Sequence, residues 1–143
     1  MIVLDANILL YAYDTTSSSH TVARRWLEET FSQGSLIGLP WQTTGAFLRI
    51  TTNPGFPGSR FTVEEAGALV DQWLQQPNVH ALAPGHGHWP LLRKMVIDGQ
   101  ARGPLVTDAQ LAALTIEHGG VLHTTDRDFA RFPGLRWTNP FAG

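Results

Sequence analysis

The chain has 143 residues, a formal net charge of −2 and no cysteine. That suits one domain of ordinary size, roughly 100–200 residues, excludes disulfide scaffolds and cysteine-ligated zinc, and argues against coating nucleic acid by charge alone. No apolar run reaches the roughly 18–20 residues of a membrane span, and no basic segment precedes the first apolar stretch as in a signal peptide, so a single cytoplasmic domain over 1–143, with no membrane partner, is expected.

Residues 2–4 read as a brief apolar strand ending at Asp5, followed by a short helix over 7–13. Ser17 to His20 form a turn, and the apolar positions Val22, Ala23, Trp26, Leu27 and Phe31 have helical period. Gly34 stops that helix, Leu36 to Leu39 read as a buried strand, and Pro40 suits the first position of a helix ended by Asn53-Pro54-Gly55. Thr62-Val63-Glu64-Glu65 is a capping-box signature that opens a helix to about Gln75. Val79 to Leu82 read as a strand and Trp89 to Ile97 as a helix. Thr107 or Asp108 caps a further helix that runs to a Gly119-Gly120 stop. Val121 to His123 form a strand, Asp126 to Phe132 a turn with a short helix, and Leu135 to Trp137 a closing strand. Strands alternating with helices imply an α/β fold whose parallel sheet is covered on both faces.

Asp5 and Asp126 each stand just past a strand, and Asp108 stands at the start of a helix. Ligands in open parallel sheets gather at the carboxyl ends of strands. Each acid also has a plain structural use: Asp5 and Asp108 as helix caps, Asp126 and Asp128 as loop acids that open a helical turn. Their coincidence points further. Three carboxylates at the ends of sheet elements repel one another when unpaired, and no lysine or arginine adjoins Asp5 or Asp108 in the sequence. A divalent cation such as Mg²⁺ or Mn²⁺, held by Asp5, Asp108 and Asp126, is the economical partner.

Four segments, VLDAN, PWQTTGAFLRITTNP, LVTDAQLAALTIEHG and TTDRDFARFPGLRW, together resemble a PIN domain, and more narrowly the toxin of a VapBC-type toxin–antitoxin pair. The resemblance spans nearly the whole chain. It implies a three-layer α/β/α sandwich with a central parallel sheet. It also implies a metal-dependent endoribonuclease that cuts structured RNA such as tRNA or rRNA, and inhibition by a small VapB-like antitoxin. Asp5 matches the first acid of the family, Asp108 the acid of the late helix, Asp126 the acid after the fourth strand, and Asp128 a more variable acid. Thr124 or Thr125 matches a hydroxyl residue bonded among these carboxylates, and Asn7 a polar residue beside the first acid. Arg49 matches the arginine of the segment that begins at Pro40. One departure stands out: the family usually carries a glutamate three residues before that arginine, and here the position is Ala46. The alternative to an active enzyme is therefore a catalytically impaired PIN-fold module that binds RNA or antitoxin.

Other residues carry weaker signals. His86 and His88 form a potential metal pair without a nearby third ligand. Trp26, Trp73, Trp89 and Trp137 are expected in the core or an interface, whereas Trp41 opens a helix near the acids and leaves stacking on RNA open. Nine of the ten basic residues are arginine, the residue suited to bidentate phosphate contacts, and Arg49, Arg60, Arg102 and Arg127 are candidates to line an RNA path. Five tryptophans and a modest charge content leave apolar helix surface to cover, and a homodimer is expected. A phosphotransferase of the haloacid-dehalogenase type needs a second aspartate two residues after the first, where Asn7 stands. A phospho-receiver needs a lysine after a late strand, whereas Lys94 lies in a helical pattern.

Overall fold

A dozen or more residues separate each strand from the next, enough for the crossover that a parallel neighbour needs. In the computed structural model, which describes residues 1–58 and 60–142, the strands β1 (Ile2–Leu4), β2 (Ile37–Pro40), β3 (Val79–Leu82), β4 (Val121–His123) and β5 (Trp137–Thr138) form one sheet in the order β3-β2-β1-β4-β5. All four pairings are parallel. The crossovers are α1 (Ala6–Tyr13) with α2 (His20–Ser32), α3 (Trp41–Thr51) with α4 (Val63–Gln75), and α5 (His88–Asp98) with α6 (Leu105–Glu117); a 3₁₀ turn at Arg127–Arg131 leads into β5.

The sheet divides two cores, because successive strand residues point to opposite faces. Leu4, Ile37, Leu39 and Val79 join the helices α1 to α4 on one side. Val3, Leu82 and Leu122 join α5, α6 and the 3₁₀ turn on the other. The result is the expected three-layer arrangement. Trp73 is buried in the first core, with the rings of Tyr13, Phe31 and Phe47 around it. Trp89 and Trp41, by contrast, are largely exposed.

Several expected boundaries move. Pro40 is the last residue of β2 and the N-cap of α3, not its first helical residue; its ψ of 142° keeps it extended. The exposed Leu36 lies outside β2. The closing strand is Trp137–Thr138 rather than 135–137. The largest correction concerns α6, which starts at Leu105, so neither Thr107 nor Asp108 caps it. The turn at Arg102-Gly103-Pro104 starts the helix early: Gly103 takes a φ of +57°, and Pro104 already has helical angles. Asp108 therefore sits inside the first turn, with its carboxylate free for another use. The capping box at Thr62 and Glu65 forms as expected, with both reciprocal bonds present.

The Gly119-Gly120 stop closes α6 with paired bonds. Gly119 takes the left-handed φ of +67°, its N–H donates to the Ile116 carbonyl at 3.0 Å, and the Gly120 N–H donates to the Thr115 carbonyl at 3.0 Å. The end of α5 has the same bonds with its glycine displaced by one residue. Here Gln100 occupies the left-handed position, at φ +50°, while the glycine precedes it. Packing explains the order, since a Cβ on Gly99 would meet the Phe132 ring at 2.6 Å. Gln100→Gly is expected to stabilise the fold by about 0.5–1 kcal/mol, the left-handed penalty less the glycine entropy cost. Gly99→Ala should destabilise it. Urea denaturation of both variants checks this pair, and a destabilising Gln100→Gly would count against the strain assigned there.

Candidate active site

Sheet order brings the acids together. The chain moves outward from β1 to β2 and β3, then returns to place β4 on the other flank of β1. The crevice of such a sheet lies beyond the carboxyl ends of the strands where the order reverses, which here means after β1 and β4. Their register pairs Leu4 with His123. The next residues, Asp5 and Thr124, therefore lie side by side although 119 positions apart.

Asp5 is held from several directions. Its Oδ1 accepts the Ala6 N–H at 2.7 Å, and its Oδ2 accepts the Thr124 hydroxyl at 2.8 Å and the Asn7 amide at 3.3 Å. It is the N-cap of α1 and a site acid at once. Thr124, fully buried, is the hydroxyl residue of the cluster: its Oγ also accepts from Asn7 at 3.3 Å and from the Asp126 N–H at 3.0 Å. Thr125 contributes only its N–H, donated to the Asn7 side chain at 3.4 Å. Asp126 Oδ1 in turn accepts the Asp128 N–H at 2.9 Å, which starts the 3₁₀ turn.

A cavity of about 240 Å³ lies in front of this cluster, lined by Asp5, Asp108, Thr107, Gln42, Ala46 and Arg49 among others. Asp126 and Asp128 do not line it, but their charges act on Asp108. Gln42, Ala46 and Arg49 follow helical spacing along one face of α3. Gln42 received no notice in the sequence; its spacing from Ala46 and Arg49 was the available signal. Its Nε2 donates to the Thr107 carbonyl at 3.1 Å and so ties α3 to α6. Thr43 anchors the same helix to β1, its buried hydroxyl donating to the Leu4 carbonyl at 2.7 Å. Among the described residues, none of the salt bridges involves a site acid, and Arg49 has no acidic partner. Arg60, Arg102 and Arg127 do not line this cavity.

The electrostatics follow from this crowding. Burial pushes the Asp5 carboxyl up, against the hydrogen bonds from Thr124 and Ala6, and Asp126 raises it further. Asp108 rises from 3.8 to about 6, first through burial, then through the charges of Asp126, Asp5 and Asp128, with only Arg131 opposing. All the donors here are carboxylate, hydroxyl or amide oxygens, the set a hard divalent cation prefers. Among the described residues, no three acidic or histidine side chains draw close enough to chelate an ion by themselves. Mg²⁺ does not require that, because it usually keeps several waters and takes one or two carboxylates. The donor set fits such an ion. His86 and His88 gain no third ligand, since among the described residues no three acidic or histidine side chains gather there, and His88 Nδ1 lies 2.8 Å from Glu117 Oε1.

A parallel sheet whose switch point carries an acidic crevice, with a buried threonine and a half-buried asparagine bracing the first acid, defines a class of protein. The PIN domain family model matches residues 2–135. Ribonuclease VapC33 of Mycobacterium tuberculosis is 38% identical over 140 residues, covering 98% of each chain. Ribonuclease VapC37 of the same organism is 37% identical, covering 98% of this chain and 97% of that one. Among solved structures, Mycobacterium tuberculosis VapC20, a Sarcin-Ricin loop cleaving toxin, superposes with a TM-score of 0.67 at 15% identity, covering 95% of this chain and 99% of that one. VapBC2 from Rickettsia felis, bound to a DNA fragment from its promoter, gives 0.66 at 19% identity, covering 97% and 98%. The chain belongs to the PIN-domain family and, within it, to the VapC ribonucleases.

The Asp108 shift has a consequence for stability. In the unfolded chain this group titrates near 3.8 and in the folded protein near 6. Between those values the folded state holds the extra proton, so stability falls as pH rises through the window and levels off above it. Asp108→Asn removes this loss. In metal-free buffer the melting temperature of the variant should exceed that of the unsubstituted protein at pH 7.5, and the difference should shrink toward zero near pH 4. Differential scanning fluorimetry checks it; a difference of opposite sign at pH 7.5 would contradict the repulsion assigned to the acid cluster.

Proposed function

We propose that the protein is a metal-dependent endoribonuclease toxin of a type II toxin–antitoxin pair, acting on structured RNA such as tRNA or rRNA. The observation that carries this reading is the unpaired Asp108 carboxylate, lining one cavity with Asp5 and raised in pKa by burial and then by three neighbouring acids. Full-length similarity to proteins named ribonucleases supports the reaction class. Asp5, Asp108 and Asp126 would hold Mg²⁺ or Mn²⁺, directly or through water. Such an ion supplies charge neutralisation for a phosphodiester and acidifies a water.

The chain's own residues do the remainder. Thr124, Asn7 and the Ala6 N–H fix the Asp5 oxygens, so its geometry is set before any ligand arrives. Asp126, aligned by the 3₁₀ turn, or Asp128 beside it would orient the attacking water. Arg49, exposed on the rim, offers a guanidinium to a phosphate without first breaking an ion pair. Ala46 leaves room where a carboxylate would otherwise enter. That observation favours one second reading, an impaired module that keeps the fold and its partners.

The partner classes follow from the same reading. A VapB-like antitoxin is supported by the solved VapBC and FitAB complexes that share the fold. A homodimer is supported by Trp89 and Ile97, both exposed on α5, whose one buried residue is Met95. Sedimentation at micromolar concentration should give twice the chain mass, and a clean monomer without antitoxin would count against the dimer.

One assay separates the active from the impaired reading. Mg²⁺-dependent cleavage of total tRNA and rRNA is expected for the unsubstituted protein, with a loss of at least a hundredfold in Asp5→Asn and Asp108→Asn. Ala46→Glu should raise cleavage or Mn²⁺ affinity several-fold, because residue 46 faces the same cavity as both acids. No cleavage by the unsubstituted protein, with activity appearing in Ala46→Glu, would establish the impaired module. A fall in activity for Ala46→Glu would mean the cavity is built for a small residue there.

A further inference from the structure

A second cavity of about 230 Å³ opens beside the acidic one, and Gln42 lines both. Its other walls include Trp41, Leu82, Pro84, His88 and Gln110. Trp41 is the first residue of α3, directly after the carboxyl end of β2, and its surface is 53% exposed. An indole left in water at the mouth of a cavity has unused stacking area.

His88 is held unusually firmly for a residue that opens a helix. Its Nδ1 lies 2.8 Å from Glu117 Oε1, and both side chains are about five-sixths buried, at 15% and 16% exposure. The other Glu117 oxygen accepts the Gly85 N–H at 2.7 Å. With Nδ1 engaged by the carboxylate, Nε2 is the ring nitrogen left for a ligand. The pair clips the loop before α5 to the end of α6. A clip alone would not require the imidazole to line a cavity shared with an exposed tryptophan.

The chemistry of these walls selects the occupant. No arginine or lysine lines the cavity, so it is not built for a phosphate. It falls below the roughly 300–1,000 Å³ of pockets that enclose a whole drug-sized molecule, and suits one flat ring that stays attached to a larger chain. An aromatic face combined with imidazole and amide groups at the edge is how proteins bind an unstacked base.

We propose that this cavity is a nucleobase subsite, in which one base flanking the phosphodiester held in the acidic cavity stacks on Trp41 and presents its edge to His88 and Gln42. Trp41 and His88 are then specificity-determining residues, and Glu117 is a positioning residue that acts through His88. The inference rests on the ribonuclease reading, and the experiment separates the two.

Single-stranded tetranucleotides of each base are titrated against Asp108→Asn protein while tryptophan fluorescence is followed. Cleavage of total RNA by the otherwise unsubstituted protein is measured in parallel. Stacking predicts quenching in the protein that keeps Trp41, and tetranucleotide affinities measured by calorimetry should be retained in Trp41→Phe and weakened about five- to a hundredfold in Trp41→Ala. Trp41 is exposed, so neither change should disturb folding. His88→Gln and Glu117→Gln should change the ratio of affinities among the four tetranucleotides, a shift in base preference that a merely structural clip would not produce. RNA cleavage with affinity and base preference unchanged in Trp41→Ala and His88→Gln would overturn the subsite and leave the ribonuclease reading standing. Base-selective binding that depends on Trp41, with no cleavage by any form, would support the subsite and count against the ribonuclease reading. Weakened antitoxin binding in Trp41→Ala with unchanged tetranucleotide affinity would assign the cavity to the protein partner and overturn the subsite.

Discussion

The hydrogen bond from the Thr124 hydroxyl to Asp5, 2.8 Å long, joins the two halves of the chain at the point on which the site depends. It exists because β1 and β4 pair in a register that ends with Leu4 beside His123. A slip of one residue would turn each side chain of β4 to the other face and leave the Asp5 carboxylate without its buried donor. Gly120 guards that register from below, because a Cβ there would meet Val3 at 2.5 Å. The tight approach of β1 and β4 therefore serves both the core and the acidic crevice.

Around that tie, the site is arranged against its own stability. Asp5, Asp108, Asp126 and Asp128 act on one another without a lysine or arginine in salt-bridge contact among the described residues. Structural carboxylates normally find a cation or a set of N–H donors, and Asp5 alone is well supplied with donors. Asp108 has neither, and burial together with the charges of Asp126, Asp5 and Asp128 raises its pKa, which makes it a candidate functional group. Helix α6 makes this possible by starting at Leu105, which releases Asp108 from capping duty.

Helix α3 links the acidic cavity to its surroundings. Thr43 fastens it to β1, Gln42 to α6, and its outer face carries Trp41, Ala46 and Arg49 in succession. Small and exposed residues on this face leave space over the acids rather than filling it. The same helix supplies a wall of each of the two adjoining cavities, so any chain seated along it would meet the acids and the indole in turn.

Much of this was legible before folding. Strand and helix alternation, the Thr62 capping box, the glycine stop at 119–120 and the positions of Asp5, Asp126 and Asp128 follow from local chemistry, and local chemistry is written residue by residue. Ala46 was legible as an absence within a recognisable segment. Other features required the folded chain. Choosing Thr124 over Thr125 depends on which side chain the β1–β4 register turns toward Asp5. The early start of α6 rests on a local glycine–proline turn at 103–104, and the folded chain decided between it and the competing cap at Thr107 or Asp108. Gln42, the His88–Glu117 pair and the exposure of Trp41 arise from contacts between elements far apart in sequence, 65 positions for Gln42 and Thr107. Periodicity determines which face of a helix is apolar; only tertiary packing decides what that face meets, because the partner lies elsewhere in the chain.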